Sequence, residues 1–179
     1  LIGGDLIDSS SYKINNFSLF NEIDKPIYFV TGNHEYYISE YEVKFEQLSK
    51  FGITILNNEK NFIDDINLIG IGDKQSSEDQ ASKLFELVDK SKFNLLLVHK
   101  PSIWNKVKKN VDLMLSGHTH NGQIFPFNFL VRLQFKYKYG MYKNENSYLY
   151  VSSGSGCWGP RMRLGTSNEI INIELMPCQ

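Results

Sequence analysis

Short apolar runs alternate with polar, glycine-bearing breaks along the chain, and their spacing sets the expected elements. Leu1-Ile2 running into Gly3-Gly4-Asp5 reads as the end of a buried strand that breaks into a glycine turn. Residues 26–30 are a β-rich run that stops at Thr31-Gly32-Asn33. From Ser39 to Lys50 the apolar residues Tyr41, Phe45 and Leu48 recur at helical spacing, with Gly52 as a stop signal. Residues 53–56 predict a short strand, and residues 61–71 a hairpin turning at Asp64-Asp65. Ser76 or Ser77 caps a predicted helix that runs to about Lys90 on Leu84, Phe85, Leu87 and Val88. Residues 93–98 and 111–115 are near-continuous apolar strands, and residues 148–151 and 169–175 supply two late ones. Between them, residues 131–139 alternate, with Val131, Leu133, Phe135, Tyr137 and Tyr139 set against Arg132, Gln134, Lys136 and Lys138. That alternation predicts a half-buried strand with one solvated face.

Strands alternate with helices early and become hairpin-like late, so the fold class is layered α/β with mixed sheets. With 179 residues, 41% of them hydrophobic, the chain suits one domain over 1–179 and is too short for two. A net charge of −1 gives no global basic field to hold a nucleic-acid backbone. No nucleic-acid partner is expected, and phosphate binding must come from a local site. Cys157 and Cys178 show no CxxC spacing and read as free thiols, which leaves the compartment open between cytoplasmic and membrane-associated. No apolar run is long enough to span a bilayer, and composition leaves the oligomeric state open.

The informative regularity is where the strands end. Four of them finish in a polar loop: Asp5, Asn33-His34, His99, and His118-Thr119-His120. All four histidines of the chain lie in these loops. Ligand sites in α/β sheets gather at the carboxyl ends of strands, so the loops can share one rim. Imidazole nitrogens with a carboxylate suit zinc, manganese or iron. In an extended segment His118 and His120 point to the same side, and Gly117 lets the backbone turn sharply before them. The glycines near the C-terminus form no GxxxxGK[ST], so no Walker-type nucleotide site is expected.

These loops resemble the motifs of the calcineurin-like metallophosphoesterase superfamily. Gly4-Asp5-Leu6-Ile7-Asp8 is similar to GDxxD, Gly32-Asn33-His34-Glu35 to GNH[DE], and Gly117-His118-Thr119-His120 to GHxH, with His99 as the isolated histidine between them. Residues 116–123, Tyr139-Gly140-Met141-Tyr142 and residues 149–154 further resemble a bacterial branch often carrying an N-terminal membrane segment, some of whose members act on lipid-linked or cell-envelope substrates. The resemblance implies an α/β/β/α sandwich of two mixed sheets and two divalent transition-metal ions (Mn, Fe or Zn). It also implies hydrolysis of a phosphomonoester, phosphodiester or pyrophosphate by hydroxide held between the ions. Asp5 would bridge the ions, Asn33, His99 and His118 would complete one, and His120 would bind the other. His34 would protonate the leaving oxygen, Asp8 would hold a neighbouring imidazole or loop, and Arg161 or Arg163 would hold a substrate phosphate.

One departure stands out. The superfamily's first motif, DxH, occurs nowhere in the chain, so one ion is incompletely ligated by these residues. A missing N-terminal strand bearing that motif is the expected explanation, with membrane association through the same absent region. The fragment alone is then expected to turn over weakly or not at all. The competing readings are a non-catalytic metal-binding scaffold of the same fold and an unrelated zinc hydrolase built on the HxH pair.

Overall fold

Side-chain alternation along the strands sorts their apolar residues into separate cores, and the cores define the layers. The computed structural model describes residues 1–176, so Cys178 lies outside the described residues. In chain order the elements are β1 (Ile27–Phe29), α1 (Tyr41–Leu48), β2 (Ile53–Ile55), β3 (Glu59–Ile63), β4 (Ile66–Ile71), α2 (Ser77–Leu87), β5 (Phe93–Val98), α3 (Trp104–Val107), β6 (Leu113–Ser116), α4 (Phe127–Gln134), β7 (Gly140–Asn144) and β8 (Ser147–Val151). β1 and β2 pair in parallel, and the other strands form a six-stranded mixed sheet in the order β3-β4-β5-β6-β8-β7. The segment at Leu1-Ile2 lies beside β1, where Ile2 donates to Tyr28 O at 2.8 Å and accepts from Val30 N at 3.1 Å.

Tyr28 and Val30 face inward between the sheets, against Leu68, Leu95, Leu97 and Leu113. Their neighbours Ile27 and Phe29 face the other way, into a core with Ile7, Phe17, Ile38, Leu48 and Ile53. On the far side of the large sheet, Ile69, Ile71, Leu96, Val98 and Met114 pack under Leu84 of α2 and Trp104 and Val107 of α3. The layers therefore run helix, sheet, sheet, helix, as the sequence resemblance implies. β4 and β5, buried on both faces, read as continuous apolar runs for this reason.

Parallel pairing sets the functional rim. β5 pairs with β6 and β6 with β8 in parallel, so their carboxyl ends share one edge of the sheet. Just beyond it, Gly117 N donates to His99 O at 3.0 Å, which holds the two histidine loops side by side.

Two expectations are corrected. Residues 131–139 are not a strand: α4 occupies residues 127–134, and a connection leads on to β7. Val131 and Phe135 are the half-buried pair and Phe135 N donates to Val131 O, a spacing of four that belongs to a helix. Leu133, which alternation would bury with them, is 85% exposed. Pro126 immediately precedes the helix, where its missing N–H costs nothing. Residues 169–175 form no strand among the described residues. β8 is already paired on both sides, by β6 and β7, so that tail finds no free edge there. The hairpin turn at Asp64-Asp65 and the α2 cap are as expected, with Ser76 Oγ accepting from Asp79 N at 3.2 Å.

Replacing Leu96, fully buried between β5 and the outer helices, with alanine is expected to cost about 2–5 kcal/mol in urea unfolding. Ser76→Ala is expected to cost about 1 kcal/mol in the same measurement.

Candidate metal centre

Three potential ligands meet where the strand-end loops converge. Asp5, His99 and His118 place one ligand atom each within 4.8 Å of one another. His99 Nε2 lies 3.1 Å from Asp5 Oδ2 and 3.0 Å from His118 Nδ1. The opposite ring nitrogen, His99 Nδ1, lies 2.8 Å from the Gly3 carbonyl, which can only accept. The proton of the neutral ring therefore sits on Nδ1, and the Nε2 lone pair faces the cluster.

Electrostatics favour Asp5 and His118 as donors, whereas His99 must give up a proton to bind an ion. Burial alone would raise the Asp5 pKa, but His99 beside it and the His34 N–H, donating to Oδ1 at 3.0 Å, hold the carboxyl at about 2. Burial, reinforced by the charges of His99 and Lys100, pushes His118 down to about 3, so it stands neutral with a free lone pair. Burial also opposes protonation of His99, yet the Asp5 carboxylate outweighs it and holds that group above the ordinary histidine value. Asn33 Oδ1 is buried without a hydrogen-bond partner, an orphaned oxygen that a cation would satisfy. The carboxylate and two imidazoles of the cluster fit a divalent transition metal, and Asn33, whose amide donates to Tyr37, lies outside both the cluster and the cavity lining.

The backbone at the site is strained. Asp5, His118 and His120 all adopt positive φ, at 56°, 70° and 49°. Such conformations cost on the order of 1–3 kcal/mol each and persist only where the surroundings impose them. For Asp5 the surroundings are Glu35. This carboxylate is 0% exposed and accepts three backbone N–H groups, from Asp5 at 3.0 Å, Ile7 at 2.9 Å and Gly32 at 2.7 Å. It fastens the loop after Ile2 to the loop after β1. Two glycines permit the close approach: a Cβ on Gly32 would overlap Asp5 Oδ1, and one on Gly4 (φ 99°) would overlap His99 Nδ1.

The motif resemblance includes Glu35 as the last residue of Gly32-Asn33-His34-Glu35 but gives it no role. The signal that points to it is its position three residues after Gly32. A side chain there can reach back to the earlier N–H, as in a capping box.

Residues 1–122 match the family described as Calcineurin-like phosphoesterase. The chain belongs to that family. An uncharacterized metallophosphoesterase of Helicobacter pylori is 40% identical over 188 residues, a match that covers 99% of this chain and 50% of the relative. A Danio rerio protein named "Transmembrane protein with metallophosphoesterase domain" is 32% identical over 197 residues, covering 98% of this chain and 45% of that protein. The chain thus spans about half the length of these relatives. A solved Staphylococcus aureus structure described as a 5'-nucleotidase aligns with a TM-score of 0.52 at 11% identity, over 76% of this chain and 34% of that one, a likeness of fold.

Within this calcineurin-like fold, His34, His118 and His120 line one cavity of about 580 Å³ together with Asp5 and His99. His34 is half-buried, its ring 5.6 Å from that of Tyr37. His120 stands apart from the Asp5–His99–His118 cluster. Its Nδ1 is 3.4 Å from Arg163, and burial, followed by the Arg163 charge, lowers its pKa. Asp8 is exposed on the cavity wall and bonds no imidazole among the described residues. Arg161 is exposed, whereas Arg163 donates to the carbonyls of His120, Ser153, Gly154 and Gly156. The Arg163 guanidinium is thereby committed to shaping its own loop. Cys157 is a free, half-buried thiol.

His99→Ala is expected to abolish measurable Mn²⁺ binding in calorimetry. Glu35→Gln, which leaves every ligand in place, is expected to weaken that binding about 10–100-fold.

Proposed function

We propose that the protein hydrolyses a phosphomonoester, phosphodiester or pyrophosphate, and the convergence of Asp5, His99 and His118 at one cavity carries the reading. Asp5, Asn33, His99 and His118 would hold one divalent ion, with manganese, iron and zinc the metals in question, and Asp5 with His120 would contribute to a second. When bound, such ions supply positive charge for phosphate oxygens and lower the pKa of water.

The remaining work falls to the side chains. His34, tethered by its own N–H to Asp5, is positioned to hand a proton to the leaving oxygen. Asp5 is a single carboxylate among neutral donors, so it offsets only part of the charge of the ions and the site stays attractive to phosphate. Arg161, exposed and without an internal hydrogen bond among the described residues, would reach an outer phosphate oxygen. Arg163 is assigned instead to holding the loop that carries Trp158. Asp8, at the wall, is assigned to positioning that wall. Apolar residues at the cavity edge, Trp158 and Ile170 among them, support an amphiphilic substrate such as a lipid-linked phosphate.

The test is turnover of a generic aryl phosphodiester with Mn²⁺ added to the full chain. His34→Ala is expected to lower kcat by about 10²–10⁴-fold with metal affinity retained, the split expected of a proton donor that is not a ligand. His118→Ala is expected to lose both. Turnover unchanged in both variants would sink the assignment. Metal binding without any turnover by a protein that also carries the DxH motif would favour a non-catalytic scaffold.

A further inference from the structure

α4 is built the wrong way round for a helix held by its own core. α1, α2 and α3 each bury at least one side chain, and α4 buries none. Phe129 and Leu133 lie one turn apart, Phe127 and Leu130 three residues apart, and all four point to solvent. Leu133 is 85% exposed and the other three about 60%. Phe125 extends the surface, its ring 5.9 Å from that of Phe129.

A second segment joins it. Phe125 N donates to Leu164 O at 2.9 Å, and the Gln123 side chain both donates to Trp158 O and accepts from Trp158 N. These bonds set exposed Trp158, Met162 and Leu164 beside α4. An exposed apolar surface of this extent marks a docking site.

Charge identifies what docks. The chain carries a net −1, yet no acidic residue occurs between Asp112 and Glu145, while Arg132, Lys136, Lys138 and Lys143 all do. Apolar side chains projecting from a helix in a segment whose only charges are basic match the interface of an anionic bilayer, with tryptophan at the headgroup level. A second copy packed isologously would bring these like charges together. A nucleic-acid strand could stack on Phe125, Phe127, Phe129 and Trp158 but would leave Leu130, Leu133, Met162 and Leu164 without apolar cover, which a bilayer supplies.

We propose that α4 and the 158–164 loop form a docking surface for an anionic lipid bilayer. Trp158 lines both this surface and the metal-site cavity, so docking sets the mouth of the site at the headgroups. The proposal is independent of the phosphoesterase reading, because vesicle binding requires no turnover.

The test is co-sedimentation of the full chain with vesicles of phosphatidylcholine alone or mixed equally with phosphatidylglycerol. Binding is expected to the anionic vesicles and to weaken as salt rises. Combined Phe129→Ser and Leu133→Ser is expected to weaken it at least about tenfold, with the thermal midpoint and hydrolysis of a soluble phosphodiester unchanged. Combined Arg132→Glu and Lys136→Glu, which leaves the apolar face intact, is expected to weaken it as well. The proposal is overturned if the unaltered chain ignores anionic vesicles, or if both variants bind as it does. It is equally overturned if Leu133→Ser converts a dimer to a monomer, which would assign the face to self-association.

Discussion

Three backbone N–H groups, from Asp5, Ile7 and Gly32, converge on the carboxylate of Glu35, and the geometry of the metal site depends on that convergence. A fully buried carboxylate is costly, and burial pushes its pKa up against the three donors that pull it down. What it secures is the relative position of two loops that leave different strand ends. Without it, the N–H groups of Asp5, Ile7 and Gly32 would lose their acceptor, and the Asp5 backbone at positive φ would keep only the bonds of its side chain to His34 and His99. The carboxylate that faces the histidines is therefore held in place by a second carboxylate that faces away from them.

The other half of the site is positioned by the sheet. Parallel β5 and β6 end on one edge, so the residues just past them, His99 and His118, become neighbours without any designed turn between them. The Gly3 carbonyl then sets the tautomer of His99 across the gap between the two sheets. Glycines 4 and 32 let these parts approach closer than any side chain would allow. A rigid sheet edge on one side and a buried carboxylate on the other leave the donor atoms little freedom, which is the preorganisation a metal site requires.

Most of this was legible because it depends on local rules. Apolar runs found the central strands β4, β5 and β6, and strand ends found the histidines, since a polar loop after a buried strand is visible without knowing its neighbours. Residues 131–139 misled because Val131, Leu133 and Phe135 carry period two and Val131 with Phe135 also carries period four. Only the burial of one pair and the exposure of Leu133 decides between them. The tail at 169–175 has strand composition but pairs with no strand among the described residues, and β8 is already paired on both sides, a property of the whole sheet. The partners of Glu35 and Arg163 are backbone groups, so neither the motif position of Glu35 nor the phosphate role expected for Arg163 pointed to them.

Arg163 links the two surfaces of the protein. Its guanidinium gathers the carbonyls of Ser153, Gly154 and Gly156 on one side and that of His120 on the other. The loop so gathered carries Trp158, and Gln123, three residues past His120, holds Trp158 from the opposite direction. His120 itself sits at positive φ and outside the tight Asp5–His99–His118 cluster. Its position thus depends on the loop as well as on the sheet edge. Trp158 is connected to His120 through Gln123 and the loop held by Arg163, while Asp5, His99 and His118 rest on Glu35 and on parallel pairing. The candidate site therefore has a part set by the core and a part bonded to the loop that carries the exposed apolar face.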